Sequence, residues 1–112
     1  MLPQKHRLRH EKDVKTLFAK GRSVFSSALG MKIRPNTLPH SRFVVVVGVK
    51  VDKRAVVRNR LKRRVRAIIH EYLGSIRSGF DIGLLPRRGA IELSAEMLKK
   101  EIVGALKKGR LL

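Results

Sequence analysis

The chain has 112 residues, no cysteine and a formal net charge of +19, from 27 Lys and Arg against 8 Asp and Glu. That length suits one domain with a modest core, the lack of cysteine removes disulfides, Cys-ligated zinc and thiol nucleophiles, and no apolar run approaches the roughly 20 residues of a membrane span. Apolar residues make up 43% of the chain, too many for a basic disordered tail.

Residues 1–9 are rich in Lys, Arg and His, lack the apolar run of a signal peptide, and read as a flexible basic arm. Glu11 to Lys20 reads as a helix, with Val14, Leu17 and Phe18 apolar, acidic residues near its start and Gly21 as its stop. Ser23–Ser26 and Leu29–Arg34 read as strands, and residues 35–39 as a Pro-flanked loop. Arg42–Val49 carries four consecutive valines after Phe43, the pattern of a central strand covered on two sides. A turn over Lys50–Arg54 leads into a long helix from about Arg54 to Leu73, whose inner stripe is Val57, Leu61, Val65, Ile68 and Tyr72. Gly79–Pro86 reads as a further strand, and Ser94 opens a last helix over Ala95–Lys107. The expected fold is a single α+β domain over residues 1–112, an α/β sandwich of four strands and about three helices in the order α-β-β-β-α-β-α.

The long helix carries the densest charge. Nine of the seventeen residues from Lys50 to Arg66 are Lys or Arg, and only Asp52 opposes them. Such a block repels itself, and a phosphate backbone relieves the repulsion. Arg54, Arg58, Lys62 and Arg66 lie four apart and form one stripe, with Arg63 beside it and Arg60 and Arg64 widening the positive surface. Asn59 adds a neutral donor and acceptor able to bond a phosphate or a ribose hydroxyl. An ordinary solvated helix face mixes signs, and this one does not. Nucleic acid is the expected partner, and charge alone does not separate RNA from DNA.

The run Ala55-Val56-Val57-Arg58-Asn59-Arg60-Leu61-Lys62-Arg63-Arg64-Val65-Arg66 closely resembles the "RNR" signature of the bacterial ribonuclease P protein subunit. Lys20-Gly21 after the first helix, the valine-rich strand and Gly79-Phe80-Asp81-Ile82 extend the resemblance over about Arg7 to Leu106. It implies a ribonucleoprotein endonuclease that removes the 5′ leader of precursor tRNA, with the magnesium-dependent centre in the RNA subunit and no metal held by the protein alone. It implies contact with the catalytic RNA through Arg58, Asn59, Arg60, Lys62, Arg63 and Arg66, with Arg54 counted to the same surface. The family's leader cleft, between sheet and first helix, maps onto Val14, Phe18 and Lys32. Val14 and Lys32 stand where an aromatic ring is common, so leader contacts here are expected to lean on charge. The resemblance further implies an unusual left-handed crossover through the basic helix, against the general right-handed rule. A cytoplasmic setting is compatible with the lack of cysteine, and no obligate protein partner is inferred.

Other classes fit less well. A small ribosomal protein shares the size and charge but more often spreads its charge into long arms. A DNA-reading helix would carry more short polar side chains than Asn59 alone. A protein-only nuclease needs clustered acidic metal ligands, and the carboxylates here are scattered. His6, His10, His40 and His70 lack metal-ligand spacing. Leu17 and Phe18 compete for the core, while Phe25, Phe43, Phe80 and Tyr72 read as packing residues.

Overall fold

The computed structural model describes residues 2–112. A short 3-10 turn at Gln4–His6 precedes α1 (Glu11–Lys20), β1 (Arg22–Phe25), β2 (Leu29–Pro35), β3 (Arg42–Val45), α2 (Ala55–Tyr72), β4 (Phe80–Pro86), a second 3-10 turn at Arg88–Ala90, and α3 (Ala95–Lys108). The strands form one sheet in the order β1-β2-β4-β3. β1 and β4 run antiparallel to β2, whereas β3 lies parallel to β4. A parallel neighbour demands a crossover, and α2 supplies it.

Strand alternation sorts the sheet into two unlike faces. Val24, Met31, Ile33, Phe43, Val45, Ile82 and Leu84 are buried, and their register places them on one side. Against that side pack Leu61, Val65 and Ile69 of α2 and Leu98, Ile102 and Leu106 of α3, closing the main core. Each such buried aliphatic side chain is worth roughly 1.5–3 kcal/mol. Ser94 begins α3 as expected, its hydroxyl accepting the Met97 amide at 3.2 Å. The opposite side carries Phe25, Gly30, Lys32, Arg42, Asp81 and Gly83, and α1 lies across it with Leu17 buried beside Gly83. Arg42 grips Asp81 with two parallel hydrogen bonds of 2.9 and 2.8 Å, while Asn36 donates to the same carboxylate at 2.9 Å. Those bonds and the nearby carboxylates hold the Arg42 guanidinium above its ordinary pKa, fixing β3 to β4 under α1.

Two expectations are corrected here. The N-terminal segment is docked: Leu2 and Leu8 are buried, the Leu8 amide donates to the Phe43 carbonyl at 2.8 Å, and a His6 ring nitrogen bonds the Ser41 carbonyl at 2.8 Å. Two leucines among the basic residues give the segment an apolar anchor that the charge pattern hides. The valine-rich strand is outermost rather than central, and its ladder ends at Val45 with one further bond from Val46 to Leu84. The N-terminal segment runs along its outer edge, where Arg7 bridges Phe43, and Leu2, Leu8, Val44 and Val45 line one cavity with Arg66.

Candidate nucleic-acid interface

The loop from Val46 to Arg54 sets the start of the basic helix. Asp52 accepts the Arg54 amide at 2.8 Å and holds the Arg54 guanidinium by two further bonds of 3.0 and 2.9 Å. These bonds pull the Asp52 carboxyl from an ordinary 3.8 down to about 2. Asp52 thereby closes the turn before a helix whose N-cap, Arg54, supplies no side-chain cap of its own. Arg58 folds back over the same turn and donates to the carbonyls of Asp52 and Lys53 at 3.0 and 2.8 Å.

That placement revises the expected stripe. At about 100° per residue, Arg58 stands roughly 60° from Leu61, on the flank of the buried face and not opposite it. Arg58 and Lys62 are accordingly half-buried, whereas Asn59, Arg60, Arg63 and Arg66 are exposed. Arg64, also half-buried, donates to the carbonyls of Ile91 and Leu93 and ties α2 to the segment before α3. Of the inner stripe, Leu61, Val65 and Ile68 are buried with Ile69, while Val57 and Tyr72 are half-buried at its margins.

On the far side of the sheet, two glycines make room for two rings. An ideal Cβ at Gly83 would stand 2.9 Å from Phe18 Cζ, and one at Gly30 would stand 3.5 Å from ring carbons of Phe25. The two phenylalanines therefore lie over bare backbone on the two inner strands. Phe18, Phe25, Gly30, Lys32, Lys50, Val51 and residues 85–88 line one open groove of about 460 Å³. Phe18 and Lys32 share that groove, and Lys32 leans toward Ser23, donating at 2.6 Å. Val14 is half-buried one turn earlier on α1 and does not line it. Phe25, expected as a packing residue, is 56% exposed. Its place in the turn-flanking end of β1 gave no periodicity from which exposure could be read.

The groove does not stop at the sheet. Lys50, Val51 and Arg88 also line the next concavity, which runs along the loop to Arg54. Arg54 in turn borders a third, with Val57, Arg60 and Arg64. One basic path thus connects the sheet face to the flank of α2 that carries Arg60 and Arg64.

The family profile described as "Ribonuclease P" matches residues 2–110, almost the whole chain. The chain belongs to the ribonuclease P protein family. Among curated relatives, the "Ribonuclease P protein component" of Microcystis aeruginosa is 37% identical, covering 99% of this chain and 96% of its own length. That of Syntrophomonas wolfei is 34% identical, covering 99% and 92%. The ribonuclease P protein from Thermotoga maritima superposes with a TM-score of 0.83 at 31% identity, over 91% of this chain and 96% of that one. A mutant of the Staphylococcus aureus ribonuclease P protein reaches a TM-score of 0.90 over 97% and 92% of the two chains, and at 23% identity it speaks for the fold alone.

Within this ribonuclease P protein four of the acidic side chains serve the fold. Asp81 holds Arg42, Asp52 holds Arg54, Glu71 pairs with Lys99, and Glu101 accepts the Ser27 hydroxyl and the Ala28 amide. Among the described residues, no three His, Asp or Glu side chains gather where they could hold a metal ion. No helix among them is long and apolar enough to cross a membrane.

Proposed function

We propose that this chain is the protein component of ribonuclease P, working in the cytoplasm with a catalytic RNA to remove the 5′ leader from precursor tRNA. The observation that carries the reading is the basic path from the sheet groove to α2, in a chain of this family. The reaction is hydrolysis of a phosphodiester bond, with the catalytic centre and its magnesium on the RNA subunit and the substrate. The protein's part is to bind and position. Arg60, Arg63 and Arg66 offer planar guanidinium forks to phosphates, and Asn59 offers a donor and an acceptor between them. Arg58 and Lys62 work from the flank, where Arg58 also stiffens the loop that bears Lys50 and Arg54. The groove over Phe18 and Lys32 takes the single-stranded leader, with Val14 at its approach. Two polyanions must meet at the cleavage site, and the charge of +19 lowers their mutual repulsion.

The test is reconstitution with a bacterial ribonuclease P RNA and a precursor tRNA at low magnesium. The expected result is faster cleavage at the mature 5′ end than with the RNA alone, and no cleavage by RNA-free protein. Absence of any stimulation, or cleavage by the purified protein that a carboxylate substitution abolishes, overturns the reading.

A further inference from the structure

Phe25 is the single aromatic residue that the described structure leaves mainly in solvent. Its backbone is fixed, since β1 pairs Phe25 with Gly30 and the Phe25 carbonyl accepts the Lys108 ammonium at 2.9 Å. Its ring lies over Gly30, which has no side chain to lift it away. The Arg87 guanidinium carbon stands 5.6 Å from the ring centroid, within cation–π range. Arg87 is itself anchored, its amide donating to the Ala28 carbonyl at 2.8 Å in the hairpin that follows Phe25. Lys32, Lys50 and Arg88 line the same groove. An exposed ring on a fixed backbone, with a planar cation over it and three further positive charges in the groove, has the chemistry of a stacking platform for an unpaired base, with cations left over for the adjoining phosphates.

We propose that Phe25 and Arg87 form a base-stacking position for one unpaired nucleotide of single-stranded RNA, separate from the ring of Phe18 in the same groove. On the reading given above, from which this inference takes its substrate, that nucleotide belongs to the leader of precursor tRNA. The platform adds aromatic surface to a groove that Lys32 lines without a ring and Val14 does not line. The competing role is local: Phe25 covers Gly30 and nothing more. A leucine would cover Gly30 equally well, whereas only an aromatic ring stacks.

The experiment follows from that contrast. The holoenzyme, reconstituted with a bacterial ribonuclease P RNA, is titrated with precursor tRNA and with the same tRNA lacking its leader. Wild type is expected to bind the leader-bearing RNA more tightly. Phe25→Leu should weaken that binding by at least about 5-fold, the lower bound for losing an aromatic base platform, without changing affinity for the leaderless RNA. One abasic leader position should reproduce the loss in wild type and add nothing to Phe25→Leu. The chain has no tryptophan, so Phe25→Trp reports the site directly: it should keep wild-type affinity, and its fluorescence should be quenched by a leader-bearing precursor. Phe25→Leu binding like wild type, while wild type discriminates for the leader, overturns the stacking role and leaves the parent reading standing. Equal weakening on leaderless RNA also overturns it. Wild type indifferent to the leader overturns both.

Discussion

Asp52 is the lone acidic residue in the most basic stretch of the chain, and its role is structural. Its folded carboxyl titrates at about 2, against an ordinary 3.8, because Arg54 bonds the charged form. A depressed carboxyl contributes stability that is complete above the unfolded value and is lost as pH falls through the folded one. The turn before α2 is therefore expected to hold above 3.8 and to loosen between there and about 2. A carboxyl-carbon NMR titration of Asp52 checks this, and a midpoint near 3.8 would remove the forked bond to Arg54. Arg58 makes a second prediction at this scale. Arg58→Ala should cost about 1 kcal/mol or more from two bonds to backbone carbonyls, while Arg63→Ala should leave melting unchanged and weaken RNA binding alone. The run from Arg58 to Arg66 was legible as a motif, but the split between structural and free guanidiniums was not. Residue spacing places Arg58 on a flank of the helix, and only the path of the preceding loop decides where its side chain ends.

The helices were readable from their periods and β4 from the proline that ends it, with α1 spanning Glu11–Lys20 as expected and α3 ending one residue later at Lys108. The position of β3 was not readable. A run that is apolar on both sides fits a central strand and an outer strand edged by its own N-terminal segment equally well, and the docked segment marks the second. Gly21 ends α1 for a reason other than the one composition suggests. Its φ is −70°, so left-handed freedom is not needed. A Cβ there would come within 2.5 Å of the Leu17 carbonyl oxygen. Gly83 imposes the same demand between α1 and the sheet. Gly83→Ala puts a methyl 2.9 Å from Phe18 Cζ and 3.2 Å from Leu17 Cδ2. Denaturant unfolding is expected to show a loss of about 1–3 kcal/mol, and leader affinity should fall as Phe18 is pushed from its seat. Unchanged stability would mean that α1 shifts freely over the sheet.

For the whole molecule the governing quantity is a net charge of +19, part of which lines a continuous path. If binding to the RNA subunit neutralises about six to ten phosphates, the logarithm of affinity should fall against the logarithm of salt with a slope of roughly −4 to −9. A filter-binding or anisotropy series across salt concentrations measures it, and a flat line would make the charge incidental. The overall architecture was within reach of the sequence because burial patterns are local. The groove was only half visible, since it depends on Gly30 and Gly83 from two different strands standing bare beneath rings from two different elements.

The docked segment also bears on solubility. β3 is the last strand of the sheet, and a bare outer strand is a template for pairing with another molecule. The Leu8 amide already occupies the Phe43 carbonyl, and Leu2 and Leu8 cover the neighbouring apolar surface. Residues 2–8 thus act as a guard rail against self-association. High net charge is the second safeguard, and it is the one that salt removes. A chain lacking residues 1–8 should sediment as a monomer in dilute buffer and associate as salt rises, while the full chain stays monomeric in both. A truncated chain that remains monomeric throughout would assign the whole of that protection to charge.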